Sequence, residues 1–150
     1  MIVISPEVSD QTTRTIFLAG GITNCPDWQA PVADQLDEMT NLTIFNPRRT
    51  AWNMEGSDKE SKKQILWEHD HLQKSETILF WFPSETLCPI TLLELGKYLV
   101  SDKQLIIGPH PEYQRRLDVI VQSQLVRPDI VVWSNLDDMV FHFISKYRMG

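Results

Sequence analysis

A carboxylate is the side chain of this sequence best placed to do chemistry. Glu94 lies in Thr91-Leu92-Leu93-Glu94-Leu95-Gly96, in the second turn of an expected helix from Pro89 to about Val100. The helix follows a wholly apolar run, Ile78-Leu79-Phe80-Trp81-Phe82, which suits a strand covered on both faces. Pro83 ends that run, and Ser84-Glu85-Thr86 makes a turn rich in side-chain oxygens. Pro89 suits the first helical position, where its missing N–H would be unpaired anyway. Open α/β sheets bind ligands outside the C-terminal ends of their strands, which puts Glu94 near a site. A carboxylate held there can attack a substrate or move a proton. Thr91, Glu94 and Tyr98 share one helix face, while Leu92, Leu93, Leu95 and Leu99 supply buried surface. The spacing of Thr91, Glu94 and Lys97 also fits a plain polar face on which Glu94 pairs with Lys97.

The elements that must position Glu94 follow from the rest of the pattern. Thr15 to Ala19 reads as a strand closed by Gly20-Gly21, a pair that permits a tight turn and close approach of a ligand. A helix is expected from about Trp28 to Met39, then a strand from Leu42 to Phe45, ending in Asn46-Pro47-Arg48-Arg49. Residues 50 to 58 look irregular. A longer helix spans about Asp58 to Ser75, with Ile65, His69 and Leu72 on one stripe and Glu68 beside them. Further strands are expected at Leu105 to Ile107 and Ile130 to Trp133, and further helices at about Tyr113 to Gln124 and Asn135 to Lys146. Strands alternating with helices imply a doubly wound parallel sheet with helices on both faces, and right-handed crossovers favour the flavodoxin-like order 2-1-3-4-5. The switch of direction then falls between the first and third strands, in a crevice lined by Gly20, Gly21 and Ile22 and by Pro83 to Thr91.

Composition narrows the partners. A chain of 150 residues with 42% apolar content is expected to form one domain that needs no disulfide or metal staple. Cys25 and Cys88 show no ligand spacing and read as two free thiols of a cytoplasmic protein. No N-terminal apolar stretch approaches signal-peptide or membrane-span length, so no membrane association is expected. A net charge of −6 argues against a nucleic-acid polymer but leaves room for a nucleoside or nucleotide in a local site.

Other motifs say less. Gly20-Gly21 lacks the third glycine of a dinucleotide fingerprint, and no lysine follows a glycine loop as in a P-loop. His69 and His71 are two residues apart, a poor metal spacing on a helix, and with Glu68 and Asp70 they read as a solvated or packing cluster. Arg48, Arg49, Arg115 and Arg116 read as surface charges or as phosphate ligands, and Trp52 as a lid or a packed hydrophobe.

Taken together, five segments resemble the nucleoside 2-deoxyribosyltransferase family: FLAGGI, FNPRR, WEHDHLQKSE, ILFWFP with TLLELG, and HPEYQRRLDV. The resemblance covers roughly residues 14 to 125. It implies that Glu94, in Thr91-x-x-Glu94-x-Gly96, is the nucleophile and that Glu68 is a second acid, where many relatives carry aspartate. Relatives commonly place another aspartate six residues before the nucleophile, where it contacts the sugar. Here that position is Cys88, so the preference for deoxyribose over ribose is open, with Ser84 or Glu85 as substitutes.

The implied chemistry is cleavage of an N-glycosidic bond. A carboxylate near C1′ stabilises the positive charge that builds on the sugar and can bond to it, so a second base retains configuration. The leaving base needs a proton from an acid of raised pKa, for which Glu68 is the first candidate and Asp70 a weaker one. No metal or organic cofactor is required. The expected activity is transfer of deoxyribose between bases. The alternatives are a hydrolase of a nucleoside 5′-monophosphate, with Arg48, Arg49 or Arg116 on the phosphate, and a nucleotide-binding sensor that does no chemistry. The resemblance also implies a homo-oligomer, with Trp52, Trp67 and Tyr113 offering apolar contact area.

Overall fold

A computed structural model describes residues 1–50 and 57–150. Five strands form a parallel sheet: β1 (Ile2–Ile4), β2 (Thr15–Gly20), β3 (Thr43–Asn46), β4 (Thr77–Phe82) and β5 (Gln104–Pro109), in the order β1-β3-β2-β4-β5. The helices are α1 (Gln29–Met39), α2 (Asp58–Lys74), α3 (Pro89–Leu99), α4 (Arg116–Val126) and α5 (Leu136–Met149). The doubly wound α/β class is as expected, and so is the order of the four strands called first. The fifth strand differs. It is the short apolar start Ile2–Ile4, at the edge beside β3, whereas the 130–133 stretch contributes only a bridge between Ile107 and Val132. Three residues suffice at the β3 edge because Ile2, Val3 and Ile4 fall in register with Ile44, Phe45 and Asn46. Pro128 and the exposed Val131 leave the later stretch little to bury.

The chain packs as two compact units, Met1–Leu18 with Asp27–Ile78, and Ala19–Pro26 with Leu79–Gly150. In the first, β2 also pairs with β3, Thr15 opposite Thr43. Ile16, Phe17, Leu18, Ile44 and Phe45 are fully buried, each worth about 1.5–3 kcal/mol of apolar transfer. Val32, Ala33 and Leu36 of α1 are buried with them. Ser57 caps α2 by accepting from the Glu60 amide, and acidic residues in the first turn with Lys74 in the last suit the helix dipole.

The buried face of α2 is rotated from the expected stripe. Gln64, Trp67, His71 and Leu72 point inward, whereas Ile65 is 62% exposed and His69 faces water. The rings explain the choice. Trp67 donates its indole N–H to the Glu7 carbonyl and stacks on His71 with centroids 4.0 Å apart, and His71 meets Phe45 edge-on at 4.9 Å. Both nitrogens of His71 are engaged, one with the Ser9 amide and one with the Trp67 carbonyl, so it is a packed, neutral core residue. Burial also holds its pKa below the ordinary value.

In the second unit, Leu79 to Phe82 are buried and α3 packs through Thr91, Leu95, Tyr98 and Leu99. Leu93, expected inside, is 70% exposed. The C-terminal end of α3 is closed by Arg127, whose guanidinium donates to the carbonyls of Tyr98, Leu99, Ser101 and Lys103 at 2.6–3.1 Å. Tyr98 and Leu99 are among the acceptors a helix end leaves unsatisfied, and Ser101 and Lys103 lie in the turn that follows. Asn135 caps α5 by accepting from the Asp138 amide. Among the described residues no helix is long and apolar enough to cross a membrane, and no cluster of metal-ligating side chains occurs.

Candidate functional site

In the second unit the glycine turn and the turn after β4 are in close contact. A β-carbon placed on Gly21 would lie 2.8 Å from Pro83 Cγ, 3.0 Å from Thr86 Cγ2 and 3.1 Å from Cys25 Sγ. No larger residue fits there without displacing the Pro83 and Thr86 side chains, so glycine is required at position 21 by the protein's own packing. Ile22, half-buried, accepts a hydrogen bond from the Cys25 thiol at 3.6 Å. Ser84 donates to the Glu85 carboxylate at 3.0 Å, so the two candidate substitutes for the family's aspartate are joined to each other.

Cys88 sits at the N-cap of α3 in the left-handed region, φ 51°, and makes no side-chain cap. It is buried, and burial together with the nearby Cys25 pushes its thiol up to about 12. The group is therefore a neutral thiol at pH 7 and cannot supply the negative charge of the aspartate it stands in for. Both cysteines are free thiols, as expected.

Glu94 follows from this capping geometry. Thr91 and Tyr98, three residues before and four after it, are both buried at 3% exposure, so the face they share with Glu94 turns inward. Glu94 is half-buried on that face, while Lys97 lies exposed with its ammonium 5.4 Å from the centre of the Tyr98 ring. Glu94 thus lies on a helix face bounded by two buried residues. Tyr113 adds a wall to this end of the unit. Its hydroxyl donates to the Leu87 carbonyl at 2.6 Å and its ring lies 5.2 Å from that of Phe82. Arg116 opens α4 with an exposed side chain.

Glu68 belongs to the first unit. Its carboxyl is pushed up to about 7, chiefly by burial, against the opposing effects of a hydrogen bond from Gln64 and the charge of Arg49. A carboxyl poised there exchanges its proton at neutral pH, which suits an acid–base role. Asp70 is exposed and paired with Lys74 at 2.8 Å, a surface ion pair. Arg48 reaches Gln29 at 3.4 Å and Asp27 at 3.9 Å. Trp52 lies outside the described residues. Trp67 and Tyr113, expected at a subunit contact, are 6% and 3% exposed and are core residues.

The pattern reading passed over Gln64, which is 2% exposed in mid-helix and touches Glu68. Its position four residues before an acid on the same helix was the available signal.

The family described as nucleoside 2-deoxyribosyltransferase like matches residues 13–113 of the chain, about two-thirds of its length. No individual curated protein matches.

Proposed function

This chain belongs to the nucleoside 2-deoxyribosyltransferase-like family, and from that premise we propose that it transfers deoxyribose between nucleobases through a covalent sugar–Glu94 intermediate. The observation that carries the reading is the inward, half-buried position of Glu94 between Thr91 and Tyr98, on the helix that follows β4. The carboxylate bonds to C1′ as the N-glycosidic bond breaks, and the bonding electrons leave with the base. Glu68 is the acid of this scheme: it protonates the departing ring nitrogen, and its anion accepts a proton from the incoming base. Attack of that base on C1′ releases Glu94 and retains configuration. The neutral Cys88 leaves the sugar's hydroxyl contacts to Ser84 and Glu85, so deoxyribose and ribose should be separated less sharply than an anionic contact would allow.

The test is incubation with deoxyinosine, with and without free adenine, followed by separation of products. New deoxyadenosine is the expected result. Free deoxyribose in both arms would make the protein a hydrolase, and binding without turnover would make it a sensor. A second copy of the chain is the expected partner, since Ile90, Leu93, Leu117, Val121 and Leu125 of α3 and α4 are exposed apolar side chains. A monomeric mass by light scattering at micromolar concentration would remove that expectation.

A further inference from the structure

Gln64 is a buried amide with all four hydrogen-bonding positions in use. Its Oε1 accepts from Arg49 Nε at 2.9 Å and from Ser5 Oγ at 2.6 Å. Its Nε2 donates to the Pro47 carbonyl at 2.8 Å and its side chain also bonds the Glu68 carboxyl. Chemistry fixes the orientation of the amide. A guanidinium N–H can only donate and a backbone carbonyl can only accept, so the oxygen faces Arg49 and the nitrogen faces Pro47. That leaves the second amide proton for Glu68, one helical turn further along α2.

The partners come from three places. Ser5 follows β1 and Pro47 follows β3, strands paired in parallel, so both emerge at the C-terminal edge of the sheet, where the Ser5 amide also bonds the Asn46 carbonyl at 3.0 Å. Arg49 lies two residues beyond Pro47 and pairs with Glu60 at 3.9 Å; Glu60 in turn meets Lys63 at 3.3 Å. Arg49 is the charged group that acts on the Glu68 carboxyl. A residue needed only to satisfy the ends of two strands would not have to spend a donor on a carboxyl group.

We infer that Gln64 is the positioning residue of Glu68, its amide fixed by the ends of β1 and β3 and its remaining donor holding the carboxyl one turn further along α2. This rests on the reading of Glu68 as the acid of the transfer reaction. Gln64 touches no substrate in this scheme; it acts through Glu68.

The experiment is a carbon-13 NMR titration of the Glu68 carboxyl in the whole chain, wild type against Gln64→Leu, with the pH profile of base exchange measured alongside. Loss of a donor to the ionised form should move the Glu68 midpoint upward by about one pH unit. The corresponding limb of the rate profile should move with it, and kcat should fall about tenfold to a hundredfold with little change in KM. An unchanged midpoint in folded Gln64→Leu overturns the inference. Should that variant fail to fold, the wild type decides: the Gln64 side-chain amide protons should shift with the same midpoint as the Glu68 carboxyl, and amide shifts flat with pH overturn the inference. A midpoint that moves while the rate profile stays in place keeps Gln64 as the positioning residue and removes Glu68 from the reaction.

Discussion

Glu94→Gln is expected to lower turnover by on the order of 10³-fold, about 4 kcal/mol of barrier, while the chain stays folded. Glutamine keeps the shape of the side chain, so the half-buried face between Thr91 and Tyr98 repacks little. It loses the anion that bonds to C1′, and the amide oxygen is a far weaker nucleophile. A glutamate serving only as a surface charge would be worth at most about 0.5 kcal/mol of stability and nothing in rate. The two roles therefore differ by orders of magnitude in one assay of base exchange, read beside a thermal melt. A 2-fluoro-deoxynucleoside slows breakdown of the intermediate, so mass spectrometry of the wild type should find the sugar on the peptide containing Glu94. Near-normal turnover in Glu94→Gln would end the assignment.

Glu68→Gln should separate stability from function, and in a pH-dependent way. At low pH, below the ordinary carboxyl value of 4.5, folded and unfolded chains both carry the proton and Glu68 has no effect on the balance. As pH rises from 4.5 to about 7, the unfolded chain releases the proton and the native chain keeps it, so stability falls. Above about 7 both states are ionised and the whole loss is in place. A gap of that size corresponds to at most about 3 kcal/mol, less to the extent that water reaches the carboxyl. Glutamine never ionises and still accepts the Gln64 amide proton. The variant should thus gain stability over the wild type as pH is raised from 5 to 8, while losing the acid that the reaction needs. Urea midpoints of both proteins at the two pH values measure it. A stability difference that stays constant with pH would mean that the native carboxyl ionises as it does in the unfolded chain.

Much of this was legible in the residues. The run Ile78 to Phe82 allowed no reading but a buried strand, and β4 is buried throughout. Pro89 marked the start of α3. What failed was the finer geometry of faces. On α2 the aliphatic Ile65 was placed inside, because periodicity ranks side chains by polarity alone. Stacking of Trp67 on His71 turned the helix the other way and brought Gln64 in. Gln64 carried only its spacing to Glu68 as a signal, because the partners that let a buried amide be satisfied, from the ends of β1 and β3, lie far away in sequence. The fifth strand was misplaced for a related reason: an edge strand of three residues carries too little pattern to be told from a tail.

The Arg127 fork restricts which sequences can replace this one. Four carbonyls, two in the last residues of the helix that carries Glu94 and two just beyond it, accept from one guanidinium. Lysine brings three donors on a single nitrogen and cannot span acceptors spread from Tyr98 to Lys103. A single-letter change at position 127 thus removes four hydrogen bonds at once, and the arginine is best exchanged together with a rebuilt 98–103 turn. Two stretches separated by more than twenty residues are bound to drift as one.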